Sequence, residues 1–461
     1  MPPSKLVPGL SRRAVLGASL GALASAVASR PARAAGGPRV PKNLIWMFAN
    51  GGWDVTYCMD PKPGNPNIEG PEWDAAPNEA NRVNVVETHG GHDIMVNQAS
   101  RKAVTDFFDT FGPQTLVING IWTGSIVHEG CRMRILTGNS LATVPDLPTQ
   151  IGFRNGAALP LGSIDMSGLG YSGKYASSTG RIGARSQLAA LVDRGSVFQP
   201  DPSAGYSLPL FSPDQVTGMQ AKIDQYLLNR GGQLQGSGWS DAGWNDQRIA
   251  DLRESIDRRA RLRLQGELLA SDGTPGDTGL VVGTEATLAS QTAIAVELLA
   301  GDICSSVMIS DIDSWDTHDI NALQNDRYQN FFTRLALLVD QLTKTPAPDG
   351  SGMLIDNTMV VVASEMTRTP KHNWKGGKDH WAHTSMLLLG AGIDGGRKIG
   401  ATDDFLESVP MDYDTGEPDF GVGTSAPLMK YDNLAAGILE AFDIDPAEIY
   451  PTIEPLRALK A

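Results

Sequence analysis

Four stretches of this chain gather acids and imidazoles directly behind apolar runs, and these are the places where the sequence can do chemistry. They are Asn50-Gly-Gly-Trp-Asp54, with Asp60 beyond it; His128-Glu-Gly-Cys-Arg132; Asp311-Ile-Asp-Ser-Trp-Asp316-Thr-His318; and Ser364-Glu365-Met-Thr-Arg368, continued by Lys378-Asp379-His380. Imidazole nitrogens and carboxylate oxygens are zinc ligands, whereas carboxylates with an amide oxygen also suit calcium or magnesium. Four such clusters at four strand ends fit a metal-assisted hydrolase, in which a divalent ion polarises an ester and makes water nucleophilic.

Each cluster also has a plainer reading. Asp313 and Asp316 could cap a following helix, His318 could serve a turn, and Glu129 and Arg132 could pair only with each other. Arg368 either grips an anionic substrate oxygen or holds Glu365 in place. His89 and His92 lie in a polar loop, Thr88-His-Gly-Gly-His-Asp93, and Lys371, Lys375 and Lys378 read as solvated.

The elements that must position these residues are legible as short apolar runs. Asn43–Phe48 and Thr115–Asn119 read as buried parallel strands, with a helix near Ser100–Phe111 between them. Further strands are expected at Ser306–Ser310, Thr358–Ala363 and Ser385–Leu389, and helices near Ala286–Leu299 and at Asn245–Leu269. Tyr328, Phe331, Phe332, Leu335, Leu338 and Leu342 recur at three- and four-residue steps, the buried stripe of another helix, and Tyr431, Leu434, Ile438 and Phe442 mark a last one. Strands alternating with helices predict a three-layer α/β/α sandwich with a mostly parallel central sheet, whose ligands bind at the carboxyl ends of the strands. Residues 150–240, rich in Gly, Ser and Pro, show little periodicity and read as an insertion or cap over that sheet.

The first 34 residues read as an export signal. Ser11-Arg12-Arg13 precedes a small, weakly apolar stretch to Ala28, and Ala32-Arg33-Ala34 fits a cleavage site, so the chain is expected to leave the cytoplasm by the twin-arginine route for the periplasm or beyond. The domain proper is then 35–461. The whole chain has 38 Lys and Arg against 52 Asp and Glu; five cations and no acid lie in the signal, leaving 33 against 52, or −19. That balance excludes nucleic acid as the main partner, and no stretch is apolar enough for a stable membrane span after cleavage. Three scattered cysteines, Cys58, Cys131 and Cys304, make no disulfide framework and no cysteine zinc site.

The phrases "GGWDVTYCMDPKP", "VHEGCRMRILTG", "SWDTH", "SEMTRTP", "GGKDHW" and "GAGIDGGRKIGATD" resemble the domain-of-unknown-function 1501 family, a secreted branch of the alkaline phosphatase and sulfatase superfamily. They bracket roughly residues 43–445. The resemblance implies an alkaline-phosphatase-like fold and a divalent metal, zinc, calcium or magnesium. It implies metal ligands at Asn50, Asp54, Asp316, His318, Glu365, Asp379 and His380, with His128 and Arg132 catalytic and Arg368 on the substrate. Asn50 stands where the superfamily has a metal-binding Asp, which keeps an oxygen ligand but loses its charge. His128 takes the place of the nucleophilic Cys or Ser in the register set by Thr137-Gly138, with Arg132 on the consensus Arg. The implied partner is a small anionic ester or an envelope polymer. Two functions follow: hydrolysis of a phosphate or sulfate ester through water rather than a side-chain nucleophile, or a catalytically silent exported binding protein that uses the old cleft.

Overall fold

The run Asn43–Phe48 forms β1, and in the computed structural model it lies at the middle of an eight-stranded sheet. The structure describes residues 39–73, 84–141, 144–181, 287–311 and 314–460, with scattered helical residues between 214 and 229. The other sheet strands are β4 (Thr115–Trp122), β5 (Ser163–Asp165), β6 (Thr179–Arg181), β7 (Ser306–Ser310), β8 (Thr358–Ala363), β11 (His383–Gly390) and β12 (Arg397–Ile399). Their order is β12-β4-β11-β8-β1-β7-β5-β6. All run parallel except β11, which is antiparallel to both its neighbours, β4 and β8.

Why these runs are apolar throughout is clear from what covers them. Successive side chains of a strand face opposite ways, and here both faces are buried. Ile45 and Met47 of β1 join Val360 and Val362 of β8 in one core; Leu44, Trp46 and Phe48 join Met359 and Val361 in the other. The first core is closed by α1 (Lys102–Phe111), α4 (Leu288–Ala300) and α5 (Gln324–Lys344), and the second by α2 (His128–Thr137), α3 (Leu147–Asn155) and α6 (Tyr431–Ala441). The result is the expected three-layer α/β/α arrangement. On α5 the buried residues Tyr328, Phe331, Phe332, Leu335, Leu338 and Leu342 are the stripe read from the sequence. Each such aliphatic or aromatic side chain, fully buried, contributes about 1.5–3 kcal/mol of transfer free energy.

Two local expectations change. The stretch from 150 enters the sheet as far as Arg181, where a cap had been expected: α3 packs on it and β5 and β6 extend its edge. Three-residue strands carry no period, and the helix–strand contact depends on glycine, since a Cβ on Gly152 would lie 2.5 Å from the Gly162 carbonyl oxygen. The remainder of 150–240, apart from the scattered helical residues, lies outside the described residues, as do the helix expected at 245–269 and the expected export signal. The other change is at Thr88–Asp93. It is the tip of a hairpin, β2 (Val85–His89) paired with β3 (His92–Val96), turned by Gly90 and Gly91 at φ +57° and +90°. There His92 is buried with Nε2 3.1 Å from the Gly112 carbonyl, and His89 lies between Glu87 and Asp109. Among the described residues no helix is long and apolar enough to cross a membrane, and all three cysteines are buried thiols.

Candidate functional site

The carboxyl edge of the sheet receives the loops that follow β1, β4, β7 and β8. Because β11 runs the other way, its beginning lies at that same edge, so His380, three residues ahead of β11, arrives there as well. His380 and Trp381 form β10, a short antiparallel pair with β9 (Thr367–Arg368). His128 is the first residue of α2, directly behind the β4 loop.

Three of the seven histidines converge at this edge around one carboxylate. His318 Nε2 lies 2.9 Å from His380 Nε2 and 3.0 Å from Asp316 Oδ1. His380 Nε2 is 3.3 Å from the same oxygen, and His128 Nε2 is 3.4 Å from Asp316 Oδ2. Donor atoms of His128, Asp316 and His380 all fall within 4.8 Å of one another. All four side chains are partly open, at 20–40% exposure, so solvent and a small ligand reach them.

Each imidazole is oriented from behind by its Nδ1. His318 Nδ1 meets Asp379 Oδ1 at 2.8 Å, His128 Nδ1 meets Glu365 Oε1 at 2.9 Å, and His380 Nδ1 meets the Ile126 carbonyl at 2.7 Å. A carbonyl or carboxylate oxygen only accepts, so Nδ1 carries the proton in every case. For a neutral ring that leaves the Nε2 lone pair aimed inward. Three nitrogen lone pairs and a carboxylate facing each other at 2.9–3.4 Å repel unless something positive sits among them. In a tetrahedral site with bonds of about 2.0–2.1 Å, neighbouring ligand atoms are ~3.3 Å apart. The residues present therefore fit a divalent ion, and carboxylate–histidine pairs of this kind are the usual outer support of imidazole ligands.

The electrostatics say the same of the protein alone. Hydrogen bonds to Asp316 and Glu365 push His128 up to about 9 against the effect of burial, so a proton is held among the acceptors. Burial would raise Asp316, but hydrogen bonds from His128 and His380 and the charge of Arg368 hold its carboxyl well below the usual range. Asp379 is lowered by the hydrogen bond from His318.

Several expected ligands have other tasks. Glu365 is fully buried and accepts from Gly51 N–H at 2.9 Å as well as from His128, so it orients rather than faces the centre. Asp379 stands behind His318. Asp54 is fully buried away from the cluster, its carboxylate taken by Lys378 at 2.8 Å, by Asn321 and by Thr56. Asn50 accepts from Trp315 N–H through its main-chain oxygen, and its side-chain oxygen is buried without a hydrogen-bond partner. Arg368 is fully buried: it donates to the carbonyls of Gly51, Gly52 and Lys378 and pairs with Asp316 Oδ1 at 2.8 Å. It thus braces Asp316, and the structure gives it no hydrogen bond to Glu365. Arg132 lies one turn along α2 from His128, and Glu129 makes no ion pair with it among the described residues. Lys378, read as solvated, is fully buried. His372 and His383 belong to other contacts, with Glu69 at 2.9 Å and Ser408 at 2.6 Å.

A family model described as "Protein of unknown function (DUF1501)" matches residues 262–454, the segment that holds Asp316, His318, Glu365, Asp379 and His380. Comparison with curated proteins gives no match. Among solved structures, the chain is similar to the phosphonate monoester hydrolase of Agrobacterium radiobacter at 11% identity and a TM-score of 0.33, over 91% of this chain and 77% of that one.

Proposed function

We propose that this chain is an exported, metal-dependent hydrolase of phosphate or sulfate esters. The observation that carries the reading is the set of inward Nε2 atoms of His318 and His380 on Asp316, each imidazole with its Nδ1 proton committed behind it. Asp316, His318 and His380 are the ligands in this reading. A nitrogen-rich set of this kind suits zinc or another transition ion better than calcium or magnesium. When bound, the ion supplies Lewis-acid polarisation of the ester and water that is nucleophilic near neutral pH.

The chain's own residues do the rest. His128, held by Glu365, carries or accepts the proton of the reacting oxygens. The N–H groups of His128, Glu129 and Gly130 precede the first bond of α2, from Cys131 N–H to the Val127 carbonyl, and offer donors to an anionic oxygen beside the cluster. Among the described residues, the hydroxyl and thiol nearest His128 along the chain have other tasks: Ser125 Oγ accepts from Val127 N–H, and the Cys131 thiol is buried on the Ser125 carbonyl. In this reading water is the nucleophile.

The second reading, a silent exported protein that binds a small anionic ester or an envelope polymer, is favoured by one contact. Arg368 neutralises Asp316, the carboxylate at the centre, which weakens its pull on an ion. Metal analysis of the natively exported protein, followed by a screen of phosphate and sulfate esters with and without chelator, separates the two. Stoichiometric transition metal with chelator-sensitive turnover supports the hydrolase; metal-loaded protein that turns over no ester leaves the binding protein.

A further inference from the structure

We infer that Lys378, which has no place among the donors, is the positioning residue of the site, and that its buried pair with Asp54 sets the spacing of Asp316, His318 and His380. The inference rests on the metal reading above for its meaning, though its test has a readout of its own. Lys378 Nζ lies 2.8 Å from Asp54 Oδ2 with both side chains fully buried. The remaining capacity of Asp54 is used by Thr56 N–H at 3.1 Å, Thr56 Oγ1 at 2.7 Å and Asn321 Nδ2 at 2.9 Å, so the anchor itself cannot move.

From that anchor the main chain of Lys378 reaches the segments that carry Asp316, His318 and His380. Its N–H donates to the carbonyl of Thr317, the residue between Asp316 and His318, at 3.1 Å. Its carbonyl accepts from Arg368 Nη1 at 3.3 Å, and the same nitrogen lies 2.8 Å from Asp316 Oδ1. The next two residues are Asp379, which orients His318, and His380 itself. The approach is close enough to require glycine just ahead of it: a Cβ on Gly377 would fall 2.0 Å from the His318 carbonyl oxygen. A buried ion pair adds little net stability over apolar residues of the same volume. What this one supplies is a fixed distance between the Gly51–Asp54 loop, the Asp316–His318 pair and His380.

The test compares the full exported chain with Lys378→Met and with the double variant Asp54→Leu/Lys378→Met, which leaves no buried charge unpaired. Two quantities are read: the imidazole Nδ1–H resonances, followed at low temperature, and the zinc affinity by competition titration. The double variant is expected to unfold at a lower temperature, because Asp54→Leu also leaves the Thr56 and Asn321 donors unpaired; where folded, it should lose the Nδ1–H signals of His318 and His380 while keeping that of His128, and bind zinc roughly 10- to 100-fold more weakly. Wild-type resonances and wild-type affinity in a folded double variant would overturn the inference and leave the pair a matter of stability alone. If wild-type protein takes no zinc, the metal reading fails separately and the imidazole signals alone decide the role of Lys378. Should the double variant not fold, Lys378→Arg keeps the charge and changes its reach; displaced His318 and His380 signals support the inference, and unchanged ones overturn it.

Discussion

His318 and His380 meet through their Nε2 atoms at 2.9 Å although they come from opposite ends of strands. His318 follows β7, and His380 precedes β11. Only the reversed direction of β11 brings the start of that strand to the edge where the other strands end, so one antiparallel strand in the sheet completes the site. Both rings hold their Nδ1 protons elsewhere, on Asp379 and the Ile126 carbonyl, which fixes ring orientation before any ion arrives. The centre is thus built by topology first and side-chain chemistry second.

His128 separates a water mechanism from a covalent one. With Asp316, His318 and His380 as ligands, His128→Ala should retain metal stoichiometry while lowering ester turnover roughly 10²- to 10⁴-fold. Ser125→Ala should cost little, since its hydroxyl serves the Val127 amide. Metal analysis and steady-state rates on both variants check this. A trapped phosphohistidine on wild-type protein would show that the imidazole, not water, attacks.

Glu297 gives the fold a pH dependence independent of the site. It lies on α4 with one carboxylate oxygen buried and without a hydrogen-bond partner, and burial pushes its carboxyl up to about 7 from an ordinary 4.5. The folded pKa is the higher one, so its contribution is fully present below about 4.5 and is lost as pH rises through 7. Glu297→Gln should therefore unfold at nearly the wild-type temperature at pH 5 and at a higher one at pH 8. Equal midpoints at both pH values would mean that the carboxylate is solvated.

The proposal of export rests on the first 34 residues alone. Replacing Arg12 and Arg13 by lysine should retain the precursor inside the cell, because a twin-arginine signal is read as the pair itself. Fractionation and immunodetection of the two forms suffice. Unchanged export of the lysine variant would mean another route.

The sequence made the layers legible and left some of the wiring hidden, for physical reasons. An apolar run such as Ser385–Leu389 announces burial on both faces, yet it carries no sign of direction, so the reversal of β11 was unreadable. β5 and β6 are too short for any period. Asp316, His318 and His380 were visible as polar residues at strand ends, since carboxylate and imidazole types stand out behind apolar runs. The roles of Glu365, Asp379 and Arg368 were not, because a ligand and its support use the same residue types and differ only in which atom faces inward. Lys378 was the hardest case: a lysine in a polar loop reads as solvated, and its partner Asp54 lies in a distant segment. The one local signal was the Gly376-Gly377 pair ahead of it, which marks a close approach of backbone rather than a flexible tip.

That close approach can be tested without touching any ligand. Gly377 carries no positive φ in the structure, so alanine there meets no backbone strain of its own; the conflict is steric, with the His318 carbonyl oxygen at 2.0 Å and the Asp319 nitrogen at 2.5 Å. Both contacts are backbone atoms and cannot swing aside as a side-chain tip would. Gly377→Ala should cost about 1–3 kcal/mol of stability, the usual range for overpacking. It should also weaken metal binding, because the atoms that must yield belong to the segment carrying His318. Gly376→Ala serves as the comparison: at φ +82° it is strained in place, but its Cβ approaches nothing nearer than the Asp319 carbonyl oxygen at 4.0 Å. If calorimetry and zinc titration find Gly377→Ala no worse than Gly376→Ala in affinity, the loop does not press on His318 and the spacing of the site is set elsewhere.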